Sequence, residues 1–517
     1  MKKRLLGLVL ALCMVLSLGQ ALAESNPFPL VTEPLELTMA VWQRSGQVPY
    51  NEMLTWQKYE KLTGIHINWI ELPDSTFNER RNLMFATGDL PDAIYRAKLT
   101  INEINKYASE GLLMPLNDLI DKCAPNLKAF FEKYPAVKEA LTLDDGNIYS
   151  VGYFNLHPSM KVQIKQFMNK SWLDRLNLNM PATIDELTEV FRAFRDSDAN
   201  GNGELNDELP LSSDSINSVI SSFYGAFGLQ NRGPNQPWVD VDETTSALRF
   251  WPASDSYRKL LETMRLWYDE KLLDNEIFTM TTEQSVAKGT ADKIGMFCAV
   301  NMTNVGDKAE NYQNLPAALI GPDGDQLYTA CKSMIYAPGS FVICEGNEHP
   351  EETMKWIDYF YSEEGAELLF MVEKGLLYDT DENGRNYYTD LVTKNPDGLT
   401  LTQVISSYTS WSGGNNPAII LDNYFIGGET MPIPLAVAEA MLPYTPKEIW
   451  ESISFNSAQI EEMTPILNDL TSYVEQMRAE FITGRSSLET GWENYVKTLN
   501  DMRMQTYLDI VAEALKK

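Results

Sequence analysis

The alternation of apolar and polar residues near the start of the chain predicts a β–α–β unit. Residues 35 to 41 alternate and then run apolar, which is typical of a strand. Residues 51 to 63 carry apolar side chains at near-helical spacing, and Gly64 follows as a C-terminal cap. Alternation resumes over residues 65 to 72. A helix between two strands is how an α/β sheet usually opens, so we expect an α/β fold.

Amphipathic stripes later in the chain predict longer helices. Thr183 and Glu186 have the spacing of a capping box and precede an apolar stripe. Pro350 stands where a proline is tolerated, in the first turn of a helix. Further stripes run over residues 460 to 481 and around 492 to 499. We expect these apolar faces to pack into a core.

The first residues predict a secretory signal peptide over 1–23. A basic start is followed by an apolar run over residues 5 to 18, and Ala21 and Ala23 form a small-x-small site with cleavage after Ala23. Leu12 is too bulky for lipoprotein processing, so a lipid anchor at Cys13 is not expected. No later segment has 18 uninterrupted apolar residues, so no membrane insertion is expected after cleavage. The predicted location is secreted, at the cell surface or in the periplasm.

Charge narrows the classes of partner. Without the signal peptide the chain has 39 basic against 72 acidic residues, a net charge of −33. Such a charge argues against nucleic acid and against anionic membrane surfaces. The four remaining cysteines are too few for a disulfide scaffold, and buried free thiols are expected, although Cys331 and Cys344 could pair across a hairpin. The length implies two or more domains, yet no linker or repeat separates them.

Residues 196 to 210 form an acidic loop suited to a hard cation. Oxygen-bearing side chains recur at every second position and glycine stands at the turn, as Ca²⁺ loops require. Two registers fit: one uses Asp196, Asp198, Asn200 and Asp207, and the other begins at Asp198 and includes Asn202. The alternative is an acidic surface turn. The expected ion is structural Ca²⁺, because nothing nearby supplies a nucleophile or base. A second acidic run near Asp379 is predicted to be a hairpin instead, because Asn383-Gly384 is a strong turn signal.

No catalytic motif stands out. The three histidines are far apart, and metalloprotease, nucleophile-elbow, phosphate-loop and dinucleotide motifs are absent from the sequence. Glycoside hydrolysis needs only two carboxylates at a set distance, so a glycan-cleaving enzyme stays an alternative.

Aromatic residues are abundant, with 11 Trp, 24 Tyr and 20 Phe. Sugar rings stack on aromatic faces, and binding residues concentrate in loops at the ends of elements. Each of these aromatics could equally belong to the core, and Trp42 and Trp411 are the strongest candidates. The candidate ligand residues are Trp42, Gln43, Arg44, Tyr153, Asn155, Tyr224, Trp238, Trp411 and Asn415.

Short motifs in a characteristic order extend over nearly the whole mature chain. They are EKLTGI at 60–65, NLM at 82–84, ATGDLPD at 86–92, EGLLMPLNDLI at 110–120, DGNIY at 145–149, WLDRL at 172–176, the acidic loop, DYFYSEEG at 358–365, FITG at 481–484 and WENYV at 492–496. Together they resemble the family 1 extracellular solute-binding proteins of carbohydrate ABC importers. The most similar branch includes alginate-oligosaccharide binders and lipoprotein-type binders.

The resemblance implies a two-lobed periplasmic-binding-protein-like α/β fold of type II, with the lobes joined by hinge crossings. The expected divisions are a tether over 24–34, lobe 1 over 35–152 and 312–395, and a helix-rich lobe 2 over 153–311 and 396–517 that carries the calcium loop. By the same resemblance the calcium ligands are Asp198, Asn200, Asn202, the Glu204 carbonyl, Asp207 and Glu208. One extra residue before the acidic pair leaves the last two ligands open, and the lipobox of many relatives is missing.

The expected function is therefore a non-enzymatic binder, monomeric, that captures an oligosaccharide between its lobes and delivers it to an ABC-type permease. Trp42, Tyr153 and Trp411 would stack on sugar rings. Hydrogen bonds would come from Gln43, Arg44, Asn155 and Asn415. The alternatives are a secreted glycan-cleaving enzyme, or a peptide or lipid binder or sensor on the same fold. The sugar, its length and its charge are left open by the sequence.

Overall fold

The computed structural model describes residues 27–44, 46–382, 384, 386–399, 401–410, 414–421 and 431–516. The predicted signal peptide, Cys13 and Trp411 lie outside the described residues. The strands, in chain order, are β1 Leu35–Gln43, β2 Ile65–Pro73, β3 Ala93–Leu99, β4 Val151–Asn155, β5 Lys165–Asn169, β6 Leu209–Ser213, β7 Val239–Val241, β8 Leu248–Phe250, β9 Ile294–Ala299, β10 Tyr312–Asn314, β11 Ile335–Ile343, β12 Tyr378–Thr380, β13 Asn386–Tyr388 and β14 Ile419–Ile420.

The α-helices surround two sheets. They are α1 Leu54–Thr63, α2 Phe77–Thr87, α3 Ile101–Ser109, α4 Asn117–Cys123, α5 Pro125–Lys133, α6 Pro135–Leu141, α7 Pro158–Lys161, α8 Lys170–Arg175, α9 Ile184–Arg195, α10 Ile216–Phe223, α11 Asp255–Asp269, α12 Thr282–Thr290, α13 Pro350–Asp358, α14 Glu363–Phe370, α15 Asp390–Thr393, α16 Leu401–Ile405, α17 Pro432–Met441, α18 Ser457–Thr483, α19 Leu488–Asp501 and α20 Met504–Ala514.

The first lobe is built on a six-stranded sheet in the order β14-β4-β11-β3-β1-β2. The predicted β–α–β unit is confirmed: β1 pairs in parallel with β2, and α1 ends at Gly64, whose φ of 77° is left-handed. β3 continues the parallel set, whereas β11 runs antiparallel between β3 and β4. Apolar clusters cover both faces of this sheet, as an α/β lobe requires.

The second lobe contains a four-stranded sheet in the order β10-β5-β9-β6 and one large core. The predicted helices at Thr183 and over residues 460 to 481 are confirmed as α9 and α18 of this lobe, and the one at Pro350 is confirmed as α13, which packs in the first-lobe core. The side chain of Thr183 caps α9 by accepting from Glu186 N at 3.1 Å. In a complete capping box the Glu186 side chain would accept from the N–H of Thr183. Here it accepts from Ala182 N instead.

The chain passes between the lobes after β4, before β11 and after β14. Parallel strands β1, β3 and β4 end, and antiparallel β11 begins, at the same edge of the first sheet. All three crossings therefore leave the first lobe at one edge, which places the junction between the lobes beside the carboxyl ends of its parallel strands.

The boundaries expected from the sequence differ from the sheets in three places. Residues 153–155 belong to β4 of the first sheet, where Tyr153 pairs with Ala337. β10 pairs with β5, so residues 312 to 330 lie with the second lobe. β14 pairs with β4, and Val404 and Ile405 pack in the first-lobe core, so the chain stays in the first lobe to about residue 420 and does not leave it at 396. Strand pairing decides which lobe each of these segments belongs to. The sequence did not reveal this, because its composition does not change at the crossings.

The expected tether is anchored where it is described. Phe28 packs edge-on against Tyr359 with ring centroids 5.1 Å apart, and Leu30 N donates to Thr63 O at 3.0 Å. Apolar contacts and a backbone bond therefore fix residues that a polar, proline-containing stretch led us to expect loose.

Two smaller expectations hold. The acidic run near Asp379 is a hairpin of β12 and β13. Cys123, Cys298, Cys331 and Cys344 are buried free thiols. Within the described residues, no helix has both the length and the apolar character needed to cross a bilayer.

Candidate ligand-binding edge and calcium loop

The candidate ligand site lies where β1, β3 and β4 end and β11 begins. Ligands of open α/β sheets bind beyond the carboxyl ends of the strands. The described residues at this edge include Trp42, Gln43 and Arg44 after β1, Lys98 at the end of β3, and Tyr153 and Asn155 in β4. The structure thus brings candidate residues from two separate segments to one edge of the sheet.

Trp42 lies within β1, not in the loop expected after it. Its ring is 6% exposed, and its indole N–H donates to Asp74 Oδ1 at 2.7 Å. The Lys98 ammonium lies 3.8 Å and the Arg96 guanidinium carbon 4.3 Å from the ring centroid. The ring face is therefore occupied by cations, which leaves little of it for sugar stacking. Trp42 lies inside the strand because β1 continues two residues further than the alternation predicts.

Gln43 and Arg44 accompany Trp42 to the edge. Gln43 ends β1 opposite Pro73 and is half-buried. The Arg44 guanidinium carbon lies 5.8 Å from the Trp42 ring centroid, and its backbone N–H donates to Gln47 Oε1 at 2.8 Å. Both residues are half-buried at the carboxyl end of β1.

Arg96 joins this edge to the segment before β14. It is fully buried, and it donates to the Tyr50 hydroxyl at 3.1 Å, to Ser410 O at 2.9 Å and to Gly414 O at 3.1 Å. Sequence reasoning missed it. The signal was an arginine at the centre of the strand AIYRAKL over 93–99, which marks a charge with dedicated partners.

Tyr153 and Asn155 are brought to the same edge. Tyr153 is 1% exposed and packs edge-on against Tyr336 at 5.2 Å. Asn155 Oδ1 accepts from His157 N at 2.8 Å, while its buried Nδ2 has no hydrogen-bond acceptor among the described residues. Asn415 is half-buried, with a left-handed φ of 59°, next to Gly414. A buried amide donor that lacks an acceptor is a candidate contact for a ligand oxygen.

Tyr224 and Trp238 lie elsewhere. Tyr224 begins a short 3₁₀ helix and packs on Trp251 at 4.9 Å, and Trp238 packs on the same ring at 5.2 Å. The Trp238 indole N–H donates to Thr471 Oγ1 at 2.8 Å. Both belong to the second-lobe core, since the loop between them folds back onto α18 instead of opening toward the first lobe.

A second-lobe loop over residues 445–456 reaches the crossing before β11, which the sequence did not reveal. Asn235 Nδ2 donates to Ser333 Oγ at 3.0 Å and to Trp450 O at 2.8 Å. Burial raises the pKa of Glu451 to about 7, although hydrogen bonds to Ser333 and the Ile335 backbone oppose the shift. Asn105 of α3 donates to Phe455 O at 3.2 Å, so the lobes also touch directly.

The acidic loop after α9 closes around Asp198. Its carboxylate accepts from the N–H groups of Gly201 at 2.7 Å, Asn202 at 3.0 Å and Gly203 at 3.0 Å. Asp207 faces it and accepts from the side-chain amides of Asn200 and Asn202 at 3.3 and 3.0 Å. The loop brings oxygen-bearing side chains together as the sequence predicted, with glycines at left-handed φ values of 75° and 88°.

Asp196 is turned away from this loop. Its carboxylate pairs with Arg195 at 2.7 and 2.8 Å, a bond that lowers the pKa of Asp196. Of the two registers, the structure favours the one that begins at Asp198. Glu208 points inward: Oε1 accepts from Ala199 N at 2.9 Å, and buried Oε2 has no donor among the described residues.

The loop's donor set suits Ca²⁺ in its chemistry. The oxygen donors are the carboxylates of Asp198, Asp207 and Glu208 and the side-chain amides of Asn200 and Asn202. The Asn202 amide oxygen already accepts a hydrogen bond from Glu204 N at 2.7 Å. As described, the loop's amide nitrogens face Asp207, and no group of three His, Cys, Asp or Glu side chains in the described part of the chain has the arrangement of a metal site. A cation would require the two amides to turn their oxygens inward.

Comparison with known families identifies the two-lobed arrangement. Residues 45–367 match the model of the bacterial extracellular solute-binding proteins. The chain belongs to this family. Its relatives include the fructooligosaccharide ABC transporter substrate-binding protein FusA of Streptococcus pneumoniae, 31% identical over 94% of this chain and 91% of FusA. The polygalacturonan/rhamnogalacturonan-binding protein YtcQ of Bacillus subtilis is 26% identical over 52% of each chain.

Solved structures agree with the fold. FusA in complex with kestose superimposes with a TM-score of 0.72 at 27% identity, covering 92% of this chain and 97% of FusA. A FusA EF-hand mutant in complex with fructo-nystose gives 0.73 with the same coverage and identity. These matches establish that this solute-binding protein has the type II two-lobed α/β fold.

Proposed function

We propose that this solute-binding protein captures an oligosaccharide between its lobes outside the cell and delivers it to an ABC-type permease. The observation that carries the proposal is the meeting of three interlobe crossings with a polar and aromatic strand edge. A ligand at that edge would contact both lobes, so binding would favour a closed arrangement. FusA, a relative over nearly the whole chain, is an ABC transporter component for fructooligosaccharides.

The ligand contacts proposed at the edge are Gln43, Arg44, Asn155 and Asn415, and the rings of Tyr153 and Tyr336 pack against each other at the same edge. Trp411, outside the described residues, stays a prediction. The buried, unpaired Asn155 Nδ2 would donate to a ligand hydroxyl or to a bridging water. The protein is proposed to act as a monomer and without catalysis, since the relatives named above are binding proteins.

Calcium is proposed as a structural ion in the loop from Asp198 to Glu208. The buried, unpaired Glu208 Oε2 supports this proposal, because a buried carboxylate oxygen is stabilised by a cation. The loop joins α9 to β6, so an ion there would tie the end of a core helix to a strand of the second sheet. One solved structure of FusA is of an EF-hand mutant, and because an EF-hand is a calcium-binding loop, it supports the proposal.

Thermal unfolding of the mature protein against oligosaccharides tests the main proposal. A saccharide that binds only the folded protein raises the melting temperature by mass action. Kestose and trigalacturonate would be assayed first, with the sugar recovered and sized afterwards. A saturable shift with intact sugar supports the proposal. Conversion to shorter products would show a glycan-cleaving enzyme, and a shift only with peptides or lipids would assign another ligand class.

A further inference from the structure

Cations are concentrated around Trp42 in a protein that is otherwise strongly acidic. The charged groups of Lys98, Arg96 and Arg44 lie 3.8, 4.3 and 5.8 Å from its ring centroid. The facing carboxylate is Asp74, which accepts the indole N–H. Glu71 nearby accepts from Tyr50 N, and Glu103 is paired with Arg81. The net charge around Trp42 is therefore positive, although the whole chain has a formal net charge of −30.

The backbone of β3 is strained where it presents Lys98. Arg96 and Lys98 have φ values of 55° and 54°, in the left-handed region that side-chain-bearing residues avoid. Arg81, 2% exposed, holds this geometry by donating to Ala97 O at 2.8 Å and Lys98 O at 2.9 Å. Strain of this kind persists only where surrounding contacts impose it, and it concentrates at functional sites.

Lys98 is half-buried and has no ion-pair partner within 4 Å among the described residues. Burial lowers its pKa; Asp74 opposes the shift, and neighbouring arginines add to it. An ammonium that is partly desolvated among like charges is in an unfavourable state that an incoming anion would relieve.

Lys332, in the crossing before β11, is a second half-buried lysine that lies over an aromatic ring. Its ammonium lies 3.8 Å from the ring centroid of Tyr336, and burial lowers its pKa. It likewise has no carboxylate within ion-pair distance in the part of the chain that the structure describes. Gly414 lies between the two aromatic–cation groups: its carbonyl accepts from Arg96 at 3.1 Å, and a Cβ there would lie 3.9 Å from Tyr336 and from Tyr153.

We propose that this edge, from Lys98 to Lys332, binds an acidic oligosaccharide, one that bears carboxylate or sulfate groups, and that these two lysines contact its anionic groups. The inference rests on the proposed function and specifies the ligand class of the same site. Cation–π contacts hold each ammonium in place before the ligand arrives. Charge-assisted hydrogen bonds to the ligand then compensate the cost of burying both charges.

Calorimetric titration of the mature protein distinguishes the ligand classes. The probes are trigalacturonate, which carries carboxylates, a carrageenan tetrasaccharide, which carries sulfates only, and neutral kestose. We expect at least one acidic probe to bind about 10-fold or more tightly than kestose, with an affinity that falls as salt rises. Comparison of the first two probes shows which anionic group the edge takes.

Substitutions assign the effect to the two lysines. Lys98→Gln and Lys332→Gln should each weaken binding of the acidic probe about 10-fold or more. Lys394→Gln, at a side chain that is 74% exposed, is the matched control and should change nothing. Unchanged melting temperatures of the variants exclude misfolding, and Lys98→Arg, which keeps the charge, should restore most of the affinity.

Three outcomes would overturn the inference, and they are distinguishable. Tight binding of kestose with weaker or absent binding of both acidic probes would leave the oligosaccharide proposal standing and remove the acidic ligand. Acidic binding that survives both lysine substitutions would move the anionic contact away from this edge. Absence of binding by all three probes would contradict the proposed function as well.

Discussion

At the scale of single residues, Asp196 and Asp198 show how neighbouring carboxylates of one motif receive different environments. Asp198 collects three backbone N–H groups inside the loop, whereas Asp196 is held outside it by Arg195. Sequence spacing allowed both as calcium ligands. The direction of each side chain separates them, because α9 ends at Arg195 and its last turn points Asp196 away from the loop.

The calcium proposal therefore predicts unequal effects. Asp198→Ala should lower the melting temperature and abolish its dependence on EDTA, while Asp196→Ala should keep that dependence. At free calcium 100 times the Kd, the ion would contribute about 2.7 kcal/mol to folding. Differential scanning calorimetry with and without EDTA measures this. Equal responses of the two variants would contradict the register, and a wild-type protein indifferent to EDTA would contradict the ion.

At the scale of elements, α5 depends on a carboxylate supplied by α13. Asp358 is fully buried and accepts from Leu127 N at 2.8 Å and Asn126 N at 3.2 Å, which are N–H groups of the first turn of α5. Burial raises the pKa of Asp358 to about 7, and the hydrogen bonds from these groups oppose the shift. The start of α5 is thus satisfied through tertiary packing and not by its own N-cap, Ala124.

Removing that carboxylate should destabilise the first lobe. We expect Asp358→Ala to cost about 1–3 kcal/mol, because it leaves buried N–H groups without an acceptor. Asp358→Asn retains one oxygen and should cost less. Urea unfolding followed by tryptophan fluorescence measures both. Asp390→Ala, at a side chain 79% exposed, is the control, and an equal loss there would show that burial of Asp358 is unimportant.

At the scale of the whole molecule, Glu451 couples the second lobe to the crossing before β11. The folded protein holds the proton of Glu451 up to about pH 7, whereas the ordinary glutamate pKa is 4.5. Folded stability contributed by this group is therefore fully present below pH 4.5 and is lost as the pH rises toward 7 and above.

The raised pKa of Glu451 predicts that two variants of this loop differ in how their stability changes with pH. Glu451→Gln should gain stability relative to wild type at pH 8 compared with pH 5, since it removes a charge that burial disfavours. Glu448→Gln, on the same loop with a side chain 66% exposed, should show no such trend. Chemical denaturation at both pH values tests this, and parallel behaviour of the two variants would argue against the shift.

The sequence by itself determined the elements and the family of folds. Its periodicities located β1, α1, β2, α9, α13 and α18, because amphipathic spacing and capping residues act locally. Its motifs implied two lobes and a calcium loop, and its strand ends marked the edge that holds Gln43, Arg44 and Asn155.

Only the tertiary structure decided which side chains face that edge and which fill the cores. Trp172, Trp251, Trp267 and Trp356 are fully buried, so the abundance of aromatics reports packing more than binding. Lys98 and Lys332 are 234 positions apart in the numbering, and pairing of β11 with β3 and β4 brings their segments to one edge. Contacts between distant segments depend on how strands pair and lobes dock, which local sequence patterns do not encode.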